Sequence, residues 1–118
     1  MNADPGPAPT SGPLSGLRVV VTRARAQAAA LVGALEALGA EPVEVPVIAI
    51  VDPDDGGAAL RRGLGALTAG DWLVVTSPNG ASRVGAALAA TPLAVGVRVA
   101  AIGPGTRARC DAVGIAVD

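Results

Sequence analysis

The sequence predicts an α/β protein built on parallel strands. Three observations carry that prediction. Short apolar runs of strand character alternate with longer helical runs, in the order β-α-β-α-β-α-β-α-β, and such alternation calls for crossover connections and a mostly parallel sheet covered on both faces. Three of the strands run straight into a small polar turn that opens a helix: Leu17-Arg18-Val19-Val20-Val21 into Thr22-Arg23, Trp72-Leu73-Val74-Val75 into Thr76-Ser77-Pro78-Asn79-Gly80, and Val97-Arg98-Val99-Ala100-Ala101-Ile102 into Gly103-Pro104-Gly105-Thr106. The length, 118 residues, is that of one domain at most.

The elements follow in order. Residues 1–16 hold Pro5, Pro7, Pro9 and Pro13 with Gly6 and Gly12, a composition that builds no core, and are expected to be a disordered leader. Order should begin near Leu17. Ala28, Leu31, Leu35 and Leu38 fall at three/four spacing, which predicts a helix over 26–38 stopped by Gly39. Val43, Val45 and Val47 alternate with Glu44 and Pro46, the period of a half-buried strand, and Pro42 and Pro46 place it at an edge or in a connector. Asp52-Pro53-Asp54-Asp55-Gly56-Gly57 is a loop by its turn chemistry. A second helix is expected over about 57–68, with Leu60, Leu64 and Leu67 on one side. A third follows Pro78, with Ser77 as N-cap and Ala81, Val84 and Leu88 inward. A fourth starts near Pro104 or Thr106 and ends by Gly114. Residues 115–117 should open a final strand, and a chain stopping on an apolar stretch looks truncated.

Composition excludes several chemistries. There is no His, Tyr, Phe or Lys, so a His-based acid–base pair is impossible, and the single cysteine can form neither an intramolecular disulfide nor a structural zinc site. Cys110 reads as a small packing residue. Formal net charge is −1, without a basic stripe, which argues against nucleic-acid contact. No apolar run approaches the roughly 20 residues of a membrane helix, and no signal peptide is visible, so a cytoplasmic protein is expected. Trp72, the sole tryptophan, reads as packing, and Arg61 and Arg62 as an exposed helix face. The Gly103-x-Gly105 pair lacks the third glycine of a dinucleotide fingerprint.

The strand-end turns carry the functional signal. In open α/β sheets ligands bind just beyond the carboxyl ends of the strands, where helix N-termini offer free N–H groups to anions. The candidates are Thr22 and Arg23 after the first strand, Thr76, Ser77, Pro78, Asn79 and Gly80 after the third, and Gly103 and Thr106 after the fourth. Arg23 could grip a carboxylate bidentately. Each also has a plainer reading, as a cap, a turn former or a solvated arginine. Together they point to an acidic small molecule.

Val20-Val21-Thr22-Arg23 with Gln27-Ala28, Leu31, Leu35 and Leu38-Gly39-Ala40 resembles the opening of the uroporphyrinogen-III synthase family. So do Pro46-Val47-Ile48-Ala49-Ile50, Asp71 through Gly80, and Ala101-Ile102-Gly103-Pro104-Gly105-Thr106, in that order and at these separations. Ala24 departs from the pattern, where many members have proline. The resemblance implies two flavodoxin-like α/β domains joined by a two-stranded connector, of which this chain would hold an incomplete set. Residues 17–40 would be the first β-α unit of domain one, 41–55 the connector and its loop, and 56–118 part of domain two. It implies a monomeric lyase of tetrapyrrole biosynthesis, for haem, sirohaem and cobalamin. The lyase would close hydroxymethylbilane into uroporphyrinogen III, inverting the last ring and losing water without metal or cofactor. No catalytic residue is assigned by it within these residues, and the part alone is expected to be inactive. Two other readings stand beside it. One is a tetrapyrrole- or acid-sensing module of a transcriptional regulator with the same fold, which a downstream helix-turn-helix would reveal. A phosphoacceptor receiver needs acids at its strand ends, and here Thr22, Thr76 and Gly103 stand there instead.

Overall fold

The computed structural model describes residues 11–118. Among the described residues four strands and four helices alternate strictly, beginning with a strand and ending with a helix. The chain divides into two compact units, Met1–Val51 and Asp52–Asp118. Each carries one two-stranded parallel sheet.

In the first unit β1 (Arg18–Val21) pairs with β2 (Glu41–Glu44), Arg18 opposite Glu41 and Val21 opposite Glu44. Between them lies α1 (Arg25–Ala37). Gly39 ends this helix as expected. At φ +89° it lets its own N–H donate to the Glu36 carbonyl and the Ala40 N–H to the Leu35 carbonyl, which satisfies two of the last carbonyls. The apolar stripe is only half used: Ala28 is buried, Leu35 half-buried, Leu31 and Leu38 exposed.

Three expectations need correction here. Residues 1–10 of the expected leader lie outside the described residues, but residues 11–16 form a turn tied to the end of α1. The Leu14 N–H donates to the Leu38 carbonyl and the Gly12 N–H to Ser15 Oγ, so order begins before Leu17. The second strand sits earlier than the valine alternation suggests. Because it pairs with β1, residues 41–44 belong to the first sheet, and the division falls between Val51 and Asp52. The N–H groups of Glu41, Val45 and Val47 donate to the carbonyls of Leu17, Val21 and Thr22. Alternate residues of a strand address opposite sides, so Pro42 and Pro46 fall on the outward phase and cost this pairing nothing.

The second unit is larger. Helix α2 (Ala58–Gly65) leads to β3 (Trp72–Val75), then α3 (Pro78–Leu88), β4 (Arg98–Ala101) and α4 (Pro104–Ala112). Strands β3 and β4 are parallel, with Trp72 opposite Arg98 and Val75 opposite Ala101. Val75, Ala81, Val84, Val99, Cys110 and Ile115 form the core, with Leu60, Leu73, Leu88 and Val113 packed around it. Cys110 is fully buried, the packing residue it was expected to be. Helices α3 and α4 pack closely, and Gly85 makes room for it: a Cβ there would lie 2.7 Å from Val113 Cγ2.

Helix α2 stops sooner than expected because Thr68 turns the chain back, its N–H and hydroxyl both donating to the Asp71 carboxylate at 2.8 and 3.1 Å. The expected last strand is absent as a ladder. Ile115 is buried, but only the Asp118 N–H reaches a strand, donating to the Val99 carbonyl, while the Val99 N–H donates to Asp118 Oδ2. Neither sheet is covered on both faces among the described residues. Val21 and Val75 are buried, yet their neighbours Val20 and Val74 are more than half exposed. Trp72 stands on the open face, half exposed with the Arg98 guanidinium 4.2 Å above its ring, and does not pack in the core.

Candidate functional site

The strand-end turns fall in different units. Thr22 and Arg23 follow β1 in the first, both exposed. Beside them Ala24, Arg25, Ala26 and the extended run Pro46 to Ile50 line a groove of about 570 Å³. Helix α1 has no side-chain cap at Ala24. Arg25 and the apolar run at this groove were not marked as site residues. Nothing in their spacing separates them from an ordinary helix start and connector.

The other two turns lie side by side in the second unit. The parallel register sets Val75 opposite Ala101, and the Ile102 N–H donates to the Val75 carbonyl, so residues 76–80 and 103–106 leave the same edge of one sheet. Ser77 is the N-cap of α3: its Oγ accepts from the Gly80 N–H at 3.0 Å, and Pro78 takes the first helical position, where no N–H is missed. A Cβ at Gly80 would approach Ser77 Oγ at 3.2 Å and press on the cap hydroxyl. Thr76 and Pro78 are exposed, Ser77, Asn79 and Gly80 half-buried.

Helix α4 starts differently. Its N-cap is Gly103 at φ +84°, and no side chain caps it. Two neighbouring helix N-termini thus face one edge, one self-capped by Ser77 and one open, and both dipoles favour negative charge there. Thr106 is the residue the structure withdraws. It is 4 % exposed, turned into the packing of α4. On this side Gly103 and the backbone after it are what remains accessible. Arg61 also departs from expectation, since Nη1 donates to the Gly56 carbonyl at 3.0 Å and does not simply face solvent.

What such an edge can do is hold carboxylates by main-chain N–H groups, with Thr76 adding a hydroxyl. The family model for uroporphyrinogen-III synthase HemD matches residues 29–118.

The chain belongs to the uroporphyrinogen-III synthase family.

The match takes in the turns after β3 and β4 and leaves Thr22 and Arg23 outside it. No curated protein and no solved structure matches the chain. Among the described residues no helix is long and apolar enough to cross a membrane.

Proposed function

We propose that these residues are part of an enzyme that closes hydroxymethylbilane into uroporphyrinogen III, with inversion of the last ring and loss of water. The observation that supports this reading most is the shared edge of β3 and β4, where two helix N-termini stand together in a member of this family. The substrate carries eight carboxylates and must be held with its ends together. Main-chain N–H groups suit that task because they are fixed in direction and need no reordering when charge arrives. Holding a flexible chain in its reactive shape can supply roughly 7–11 kcal/mol in favourable ring closures. A protein segment without histidine is therefore compatible with a share in this work.

In this reading Thr76, Ser77, Pro78, Asn79 and Gly80 take one carboxylate-bearing arm and the turn at Gly103 takes another. Arg23, after β1 in the first unit, is a further candidate for gripping a carboxylate. In the same reading the protein is cytoplasmic and acts as a monomer on a small-molecule substrate.

The test is Thr76→Val in the complete protein, assayed with enzymatically generated hydroxymethylbilane and isomer analysis of the oxidised product. Valine keeps the β-branched shape and removes the hydroxyl. A hydrogen bond to a charged group is worth about 1.5–3 kcal/mol, so kcat/KM should fall roughly ten- to a hundredfold. Stability should hold, because Ser77 keeps the cap. Exposed Arg62→Ala serves as control. Unaltered kinetics in the valine variant would remove the side-chain part of the reading.

A further inference from the structure

Residues 52–57 bring the chain from the end of the first unit to α2, and side chains tie this stretch at three points. The Asp55 carboxylate accepts from the Gly57 and Ala59 N–H groups, each at 2.8 Å. Arg61 reaches back from α2 to the Gly56 carbonyl. Arg83, on α3, pairs with Asp52. The first two ties are local and would accompany any helix that starts this way. The third is not, since it joins residues 31 positions apart. It also comes from the helix whose N-terminus Ser77 caps, and it grips the first residue of the second unit.

Packing does not explain why this stretch lies where it does. Beneath it, Leu60, Ala86, Ala87 and Ala90 line a groove of about 560 Å³ that the loop borders without filling. Residues 52–56 are all exposed. A loop with so little buried surface opens locally unless specific polar contacts hold it.

We propose that Arg83 is the anchor of the junction between the units: by holding Asp52 on α3 it fixes where the chain enters the second unit. The pair is exposed, with side chains 43 % and 81 % accessible, so its hold is weak and sensitive to salt. This role stands whatever ligand the strand-end turns take.

Amide hydrogen exchange on the chain tests it. In Arg83→Gln the amides of Gly56 and Gly57, which donate to the Pro53 carbonyl and the Asp55 carboxylate, should exchange about threefold to fivefold faster, the range open to an exposed pair. Amides of α3 and α4 should not change, which establishes that the variant is folded. Asp52→Asn breaks the same contact from its more exposed side and should give the same pattern. Raising salt from about 0.05 to about 0.5 M shortens the screening length to a few ångströms and should speed these amides in the wild type but not in either variant. The reversed pair, D52R with R83D, should restore slow exchange. Equal exchange in wild type and both variants, a wild type indifferent to salt, or a reversed pair that behaves like the single variants would each overturn the assignment.

Discussion

The two units are written in the same local grammar, yet they end with unequal cores. Each opens a strand into a turn and folds a helix back over it. Among the described residues of the first unit the buried apolar ones are Val21, Ala24, Ala28 and Ala40, only one of them larger than alanine. In the second, Val75, Val84, Val99, Cys110 and Ile115 meet under a rim of leucines. The difference is a matter of partners. Helix α3 packs against both α2 and α4, while α1 packs mainly on its own two-stranded sheet among the described residues. An apolar stripe states what a helix can bury. Whether it does so depends on what lies across from it.

The sharpest way to break this contrast is to truncate one side chain in each unit. Ile115→Ala, at a site 3 % exposed, should cost about 2–5 kcal/mol, and Leu31→Ala, at 38 % exposed, clearly less. Urea denaturation of both variants measures this, and equal losses would mean the cores are equivalent.

Glycine gives the next test, with opposite signs. At Gly85 an added methyl meets Val113 Cβ at 2.8 Å, so Gly85→Ala should destabilise by about 1–3 kcal/mol. At Gly33, inside α1, nothing lies within 4 Å, and Gly33→Ala should stabilise by about 0.5–1 kcal/mol. Thermal melts that move in the same direction would contradict the difference in packing.

Caps separate the units more gently. Ser77→Ala removes the hydroxyl that Gly80 donates to and should cost about 1 kcal/mol by chemical denaturation, whereas Ser77→Gly should cost only a few tenths. At Ala24 there is no side-chain cap to lose, so installing serine there is the matching gain experiment.

The smallest effect is a pH dependence. The N–H groups of Ala59 and Gly57 hold the Asp55 carboxyl below its ordinary value. A group whose folded pKa is depressed lends stability above its unfolded pKa and loses it as pH falls through the folded one. The stability difference between wild type and Asp55→Asn should therefore be constant near neutrality and shrink in acid, below the ordinary aspartate range. A difference that grew on acidification would reverse the assigned direction.

Much of the fold was legible because it rests on local chemistry. Ser77-Pro78 and Gly39 announce their helix ends through capping and positive φ, and both do what their residue types require. The β3–α3 and β4–α4 turns were legible for the same reason. What escaped depended on distant partners. The alternation of Val43, Val45 and Val47 is real, but β1 decides where the ladder stops. Ile115 and Val117 look like a strand, yet the Asp118 carboxylate takes the N–H that a second rung would use. Thr106 shows the limit at the site. A hydroxyl in the first turn of a helix reads as available until the helix is rotated by its packing, and rotation is not written in the turn itself.

The phase of the two prolines in the first unit reaches beyond its own sheet. A strand with one bare edge is a template on which another chain can grow. On the outward side of β2 and its extension, Pro42 and Pro46 have no N–H, which leaves Glu44, a charged residue, as the donor between them. A strand arriving from a second molecule would find alternate hydrogen bonds missing and a carboxylate in the middle of the row. That is a known protection against edge-to-edge aggregation. Replacing both prolines would leave the pairing with β1 intact and open a continuous edge to solvent.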